Sequence, residues 1–230
     1  MMDTLYALAT LAVPMIVAIV FHEVAHGRMA RLLGDRTAER LGRLSFNPLR
    51  HVDPVGTVLL PGMLALAHAP VFGWAKPVPV DVSGLPRPRQ AMMLVGAAGP
   101  AMNFALALLA SVALGLEARF LSAPGVIGQF VADNLVNFLA INLFLGSFNL
   151  IPLPPFDGSH IVEGLLPTAL ADRYAQLRRL GMPLVLLLLV ILPWLAPRFD
   201  LVRLVLAPPV LWLGGQFLAL ASLVAGHPIS

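Results

Sequence analysis

Residues 5–33 read LYALATLAVPMIVAIVFHEVAHGRMARLL. Leu5 to Phe21 is uncharged and apolar, and the run passes without a break into His22-Glu23-Val24-Ala25-His26. A helix crosses a bilayer with about 20 mainly apolar residues at 1.5 Å each. The stretch therefore predicts one spanning helix, Leu5 to about Leu33, with polar residues in its second half. Positions i and i+4 lie one above the other on a helix face, so both imidazoles can reach one zinc ion, with Glu23 beside them. Ionisable groups within a span cost about 2.5–3.5 kcal/mol each even on lenient scales. Two histidines and an acid on one turn call for a shared partner, which a mere helix cap near the interface would not supply.

The rest of the chain agrees with a lipid setting. Of 230 residues, 58% are hydrophobic and 12% charged, with a mean hydropathy of +0.85. Soluble domains carry about 25% charged residues, so a soluble enzyme, a nucleic-acid binder and a disordered chain are excluded. The absence of cysteine removes disulfides, thiolate ligands and thiol nucleophiles. Further uncharged runs are Ala91–Leu116, Asn134–Phe156, Leu180–Pro197 and Leu204–Gly226. The expectation is an all-α multi-pass membrane protein of about five transmembrane helices, a single membrane-embedded domain over 1–230. Met1-Met2-Asp3-Thr4 offers no positive n-region, against a signal peptide. With the N-terminus outside, segments 28–90 and 157–180 are cytoplasmic and hold twelve of the fifteen Lys and Arg residues. That is the positive-inside pattern.

Residues 41–90 stand apart, holding eight of the 21 prolines. Pro61-Gly62 and Pro70 would break a helix, and Thr57-Val58-Leu59-Leu60 is β-like. A re-entrant β-like segment at about 41–65 is expected here, lining protein or a wet cavity.

A catalytic zinc takes three protein ligands and keeps one position for water. No third His or Glu follows soon after His26; Glu39 lies in an Arg-rich polar stretch. Asn149-Leu150-Ile151-Pro152-Leu153-Pro154-Pro155-Phe156-Asp157-Gly158 ends a span and presents a carboxylate on the same side as the His pair. Spacing alone leaves Asp157 open between a ligand and an ordinary Asp-Gly turn. His160 ranks below it. Asn103 and Asn149 are buried-amide candidates for binding substrate or stabilising an oxyanion, with interhelical hydrogen bonding as the equal alternative. His51 is either a contact to site or substrate or an interfacial histidine; His68 and His227 read as loop residues. Gly96, Gly99 and Ala101 read as close-packing positions.

In these motifs the chain resembles the site-2 protease family of intramembrane zinc metalloproteases (peptidase family M50), in its short branch without a PDZ or CBS domain. The resemblance covers about residues 5–165, with C-terminal helices at about 180–226 beyond that core. It rests on His22 to Gly27, Asn47 to Thr57, Gly73 to Val80, Gly96 to Asn103 and Asn149 to Gly158, in family order. It implies His22, His26 and Asp157 as ligands of one Zn2+ per monomer and Glu23 as catalytic base. It also implies transmembrane protein substrates and a re-entrant hairpin beside the site, whose sheet edge could pair with an unwound substrate. The composition suggests a bacterial plasma membrane with the site toward the cytoplasm. The rival readings are a prenyl-protein peptidase, which would use a Glu as third ligand, and a non-proteolytic zinc-binding membrane protein, a metal transporter or a degenerate protease. A transporter should place further acids within its spans.

Overall fold

In the computed structural model, residues 2–67, 73–120, 125–200 and 202–229 are described. The first helix, α1 (Met2–Leu33), is 32 residues long, about 48 Å at 1.5 Å per residue. That exceeds the roughly 30 Å hydrocarbon core. Its interior Pro14 cannot donate to the carbonyl of Thr10. Asn137 supplies the missing donor, its Nδ2 lying 3.0 Å from Thr10 O. An orphaned carbonyl is costly where no water reaches, so a proline in a spanning helix needs such a neighbour.

After the short α2 (Thr37–Arg40), residues 41–66 depart from the β-like expectation. No strand occurs among the described residues; a 3-10 turn (Pro48–His51) is followed by a π-helical turn (Pro54–Leu59) and α3 (Leu60–Leu66). The prolines explain the correction. Pro48 and Pro54 sit in the first turn, where no N–H is needed. The residues before them cap the turns: Asn47 Oδ1 accepts from Leu49 N–H at 3.0 Å. Asp53 Oδ1 accepts from Val55 and Gly56 N–H at 3.0 and 2.7 Å. A good cap with proline at the first position starts a helix rather than preventing one. The chain then runs as a non-helical strap, 73–82, whose Trp74 and Lys76 N–H groups bond Gly56 O and His51 O.

The central helix is α4 (Pro88–Phe120), which packs against α1, α5 (Val126–Asn149), α6 (Asp157–Leu165) and α10 (Ala207–Ala225). Its buried face carries Gly96, Gly99, Ala107, Ala110, Ser111 and Gly115. Small residues let backbones approach without a hydrophobic drive between helices; a Cβ at Gly115 would lie 2.4 Å from Ala221 O. Ala107 and Ala110 of α4 meet Leu139 and Leu143 of α5 in the main apolar cluster.

Between α6 and α10, α7 (Thr168–Ala175), α8 (Gly181–Leu186) and α9 (Leu192–Leu195) follow one another through a 3-10 and a π-helical turn. Among the described residues, five helical stretches are long and apolar enough to cross a membrane: Leu5–Leu33, Pro88–Phe120, Val126–Asn149, Thr168–Leu195 and Val202–Ala225. The protein is a multi-pass, helical membrane protein. The third stretch starts at Val126 rather than Asn134 and so takes in Asp133. Its carboxylate is met by the Tyr6 hydroxyl (2.7 Å) and Gln129 Nε2 (2.8 Å).

Candidate active site

The side chains of His22 and His26 lie on the inner face of α1, 5% and 9% exposed. The third member, Asp157, begins α6 and is delivered by the loop 150–156. At Gly158 the loop carbonyls of Leu150 and Ile151 come so close that a Cβ would lie 2.3 and 2.5 Å from them. Only glycine lets the chain turn from loop into α6 against its own backbone. The two Nε2 atoms are 3.0 Å apart, and Asp157 Oδ2 lies 3.1 Å from His22 Nε2 and 3.3 Å from His26 Nε2.

What stands behind the imidazoles decides what they offer in front. His22 Nδ1 lies 2.6 Å from Asn103 Oδ1, and His26 Nδ1 lies 2.7 Å from Val95 O. Both partners are acceptors, so both Nδ1 atoms carry a proton, and in the neutral imidazoles both Nε2 atoms present lone pairs. Two lone pairs and a carboxylate oxygen thus converge within 4.8 Å. One shared proton could bridge only two of the three; a divalent cation satisfies all three together. The donor set, two imidazoles and one carboxylate, suits zinc and leaves a fourth position for water. Among the described residues, these three form the one His and carboxylate group able to hold a metal.

Gly99 of α4 makes the space. A Cβ there would sit 2.5 Å from Cε1 and Nε2 of His26 and 2.6 Å from Cε1 of His22. Gly99 therefore serves the site and not only helix packing. It lies eleven residues in from Pro88, about 16 Å along α4, so the cluster is set well within the length of an apolar stretch long enough to span.

Glu23 is half-buried beside the pair. Its Oε2 accepts the Val78 N–H at 2.8 Å. Pro77 and Pro79 flank Val78, so across 77–79 this is the one backbone donor available. The strap that brings it is held at Lys76 O and Pro77 O by Arg43 Nη2 (2.9 and 3.3 Å). Asp35 Oδ2 holds its other end, accepting Asp81 N–H at 2.8 Å. Burial raises the Asp35 carboxyl, but the Thr37 and Asp81 donors outweigh it and hold the group below its ordinary range.

The remaining expected residues fall elsewhere. Asn103 is fully buried with its amide bonded between helices, so it offers no exposed donor to a substrate. Asn149 Nδ2 donates to Leu145 O of its own helix at 3.0 Å. His51 is 3% exposed, with Nε2 on Ser45 O at 2.8 Å. His160 packs against Gly96; burial, then the Arg178 guanidinium, pushes its imidazole below the ordinary value. Glu39 pairs with Arg31 and Arg36 at 3.1 and 3.9 Å. His227 is exposed at the C-terminal end, and His68 lies outside the described residues. Sequence reasoning missed Val78, whose signal was a single N–H between two prolines. It also missed Asn142, a lone amide within the apolar stretch Leu139 to Leu145.

Comparison with known proteins gives this geometry its context. The model of peptidase family M50 matches residues 10–192. The chain is 38% identical over 186 residues to "Putative zinc metalloprotease YwhC" of Bacillus subtilis, covering 78% of this chain and 80% of that protein. It is 29% identical over 177 residues to "Putative zinc metalloprotease Rip2" of Mycolicibacterium smegmatis, covering 76% of this chain and 64% of that protein. No solved structure matches. A family match over most of the chain, around a buried pair of histidines on a spanning helix and an aspartate at the start of α6, makes this chain a member of peptidase family M50, the site-2 type of membrane metalloprotease.

Proposed function

We propose that the protein is a zinc-dependent intramembrane endopeptidase that hydrolyses peptide bonds of membrane-anchored proteins. One zinc ion per monomer would be held by His22 Nε2, His26 Nε2 and the Asp157 carboxylate. The observation that carries the reading is the convergence of two imidazole nitrogens and a carboxylate oxygen, with each imidazole set from behind by an acceptor.

A zinc ion held there would supply Lewis acidity, toward a water and toward the scissile carbonyl. The chain's own residues do the rest. Glu23 is the general base: with Oε2 on the Val78 N–H, Oε1 is the oxygen that takes the proton of the attacking water. Glu23 then returns the proton to the leaving amine nitrogen, so one water and one peptide bond become a carboxylate and a protonated amine. The buried walls around the His pair restrict water to the site. Asn149, at the end of α5 beside the loop bearing Asp157, is the candidate substrate contact through its Oδ1; His51, buried with Nε2 on Ser45 O, acts only by holding the segment before the strap. The Lys and Arg asymmetry supports an active site opening toward the cytoplasm of a bacterial plasma membrane. The expected sheet edge at 41–65 plays no part, since the described residues form no strand there.

The test is Glu23→Gln with a membrane-tethered reporter. Cleavage should vanish while zinc is retained; cleavage at the wild-type rate would overturn the assignment of the base.

A further inference from the structure

Behind His22 lies a chain of amides that reaches a third helix. Asn103 of α4 accepts from His22 Nδ1 through Oδ1. Its Nδ2 lies 2.9 Å from Asn142 Oδ1 on α5 and 3.4 Å from Ala18 O on α1. Asn142 Nδ2 in turn donates to Phe138 O at 2.8 Å. Both asparagines are 0% exposed.

An amide can be turned over in principle, and here two backbone oxygens decide it. Turning Asn142 would press its carbonyl oxygen against Phe138 O, and turning Asn103 would press its own against Ala18 O. Backbone carbonyls cannot change role, so Asn142 Oδ1 must face Asn103, and Asn103 Oδ1 must face His22. His22 is then left one tautomer, with the proton on Nδ1 and the lone pair on Nε2. His26 differs: a backbone carbonyl, Val95 O, sets it without any side chain. Gly146, one turn after Asn142, lets α5 come close enough; a Cβ there would lie 3.3 Å from Asn103 Cβ. A carboxylate at position 103 would be a stronger acceptor, but it would carry charge into the bundle, where a neutral amide costs less.

We propose that Asn103 and Asn142 are positioning residues that act in series, holding His22 in its metal-binding tautomer and making metal affinity depend on the docking of α5 against α1 and α4. The proposal rests on the zinc reading above.

Zinc affinity of the purified full chain, measured by competition with a chelator, tests it without any substrate. Asn103→Leu should weaken zinc binding about 10- to 100-fold, the usual cost of losing the group behind a ligating histidine. Asn142→Leu should weaken it by a smaller factor. Because Asn142 acts through Asn103, the double variant should bind zinc as Asn103→Leu does, within about twofold. Asn142→Asp, neutral in this uncharged interior, keeps an acceptor toward Asn103 and turns its acid hydroxyl to Phe138 O, and it should stay near wild type, whereas Asn142→Ser, too short to reach Asn103, should weaken binding as Asn142→Leu does. This second pair carries the test should the leucine variants fail to fold. Unchanged affinity in the Asn142→Leu or Asn142→Ser variant, or losses that multiply in the double variant, would overturn the series. A folded wild type that binds no zinc would overturn the metal reading and the proposal together; zinc bound equally by all variants would overturn the proposal alone.

Discussion

Gly99 faces His26 across the α1 and α4 contact with no room for a methyl group: a Cβ on Gly99 would lie 2.5 Å from both Cε1 and Nε2 of the imidazole. The Cε1–Nε2 edge of the ring therefore occupies the place where any other residue would begin its side chain. Gly99→Ala must push α4 away or turn both rings. Overpacking of this kind costs about 1–3 kcal/mol, and it acts on the ligand atoms themselves. The variant should remain helical but lose zinc affinity by at least about tenfold. Metal analysis beside circular dichroism checks this, and wild-type zinc affinity would refute it.

Asp157 closes the site from a distant part of the chain. Wild-type protein should carry about one zinc per monomer, and Asp157→Ala should carry far less, since two histidines alone leave a catalytic site one ligand short. Full retention of zinc in the variant would move the third ligand elsewhere, and His160, one turn further along α6, would be the next residue to replace.

The Val78 N–H on Glu23 Oε2 predicts a backbone effect on catalysis. Val78→Pro removes the donor and retains an apolar side chain in a strap already shaped by Pro77 and Pro79. Turnover of a tethered reporter should fall on the order of 10- to 100-fold with zinc content unchanged, because a loosely held base is misplaced at the attacking water. Val78→Ala keeps the N–H and should cost much less. Equal losses in the two variants would mean that the side chain, not the donor, matters.

The strap's hold on Asp35 sets a pH dependence. The folded-state pKa of Asp35 is lowered, so its contribution to stability is fully present above the ordinary carboxyl value, near 4, and is lost as pH falls through the lowered folded value. Protease sensitivity of the 73–82 segment should therefore stay flat from neutral pH down to about 4 and rise below it. Asp35→Asn should remove this acid step and raise sensitivity at neutral pH. An acid step that persists in the variant would assign it to another group.

Much of this architecture was legible from residue order, for reasons particular segments make plain. Spanning helices declare themselves by composition because lipid demands long apolar runs, and all five were readable, though Asp133 at the start of α5 was left out. It hides because a carboxylate reads as the edge of a span, whereas Tyr6 and Gln129 make it tolerable inside one. The segment 41–65 was misread because proline was weighed as a breaker. At the first position after an Asn or Asp cap it starts a turn instead, and that depends on side chains whose direction only the folded chain defines.

By itself the sequence determined that His22 and His26 share one helix face, since the 3.6-residue period permits nothing else, and that lipid surrounds most of the chain. It could offer Asp157 as a partner only by analogy, because a loop of prolines does not say how far it folds back. Tertiary structure alone decided that Asp157 meets the two imidazoles, and that Gly99 rather than a neighbouring small residue clears their space. It alone joined Val78 to Glu23 and Asn142 to His22 through Asn103. These are contacts between residues far apart in sequence, and their distances are set by how closely helices pack, which no local pattern encodes.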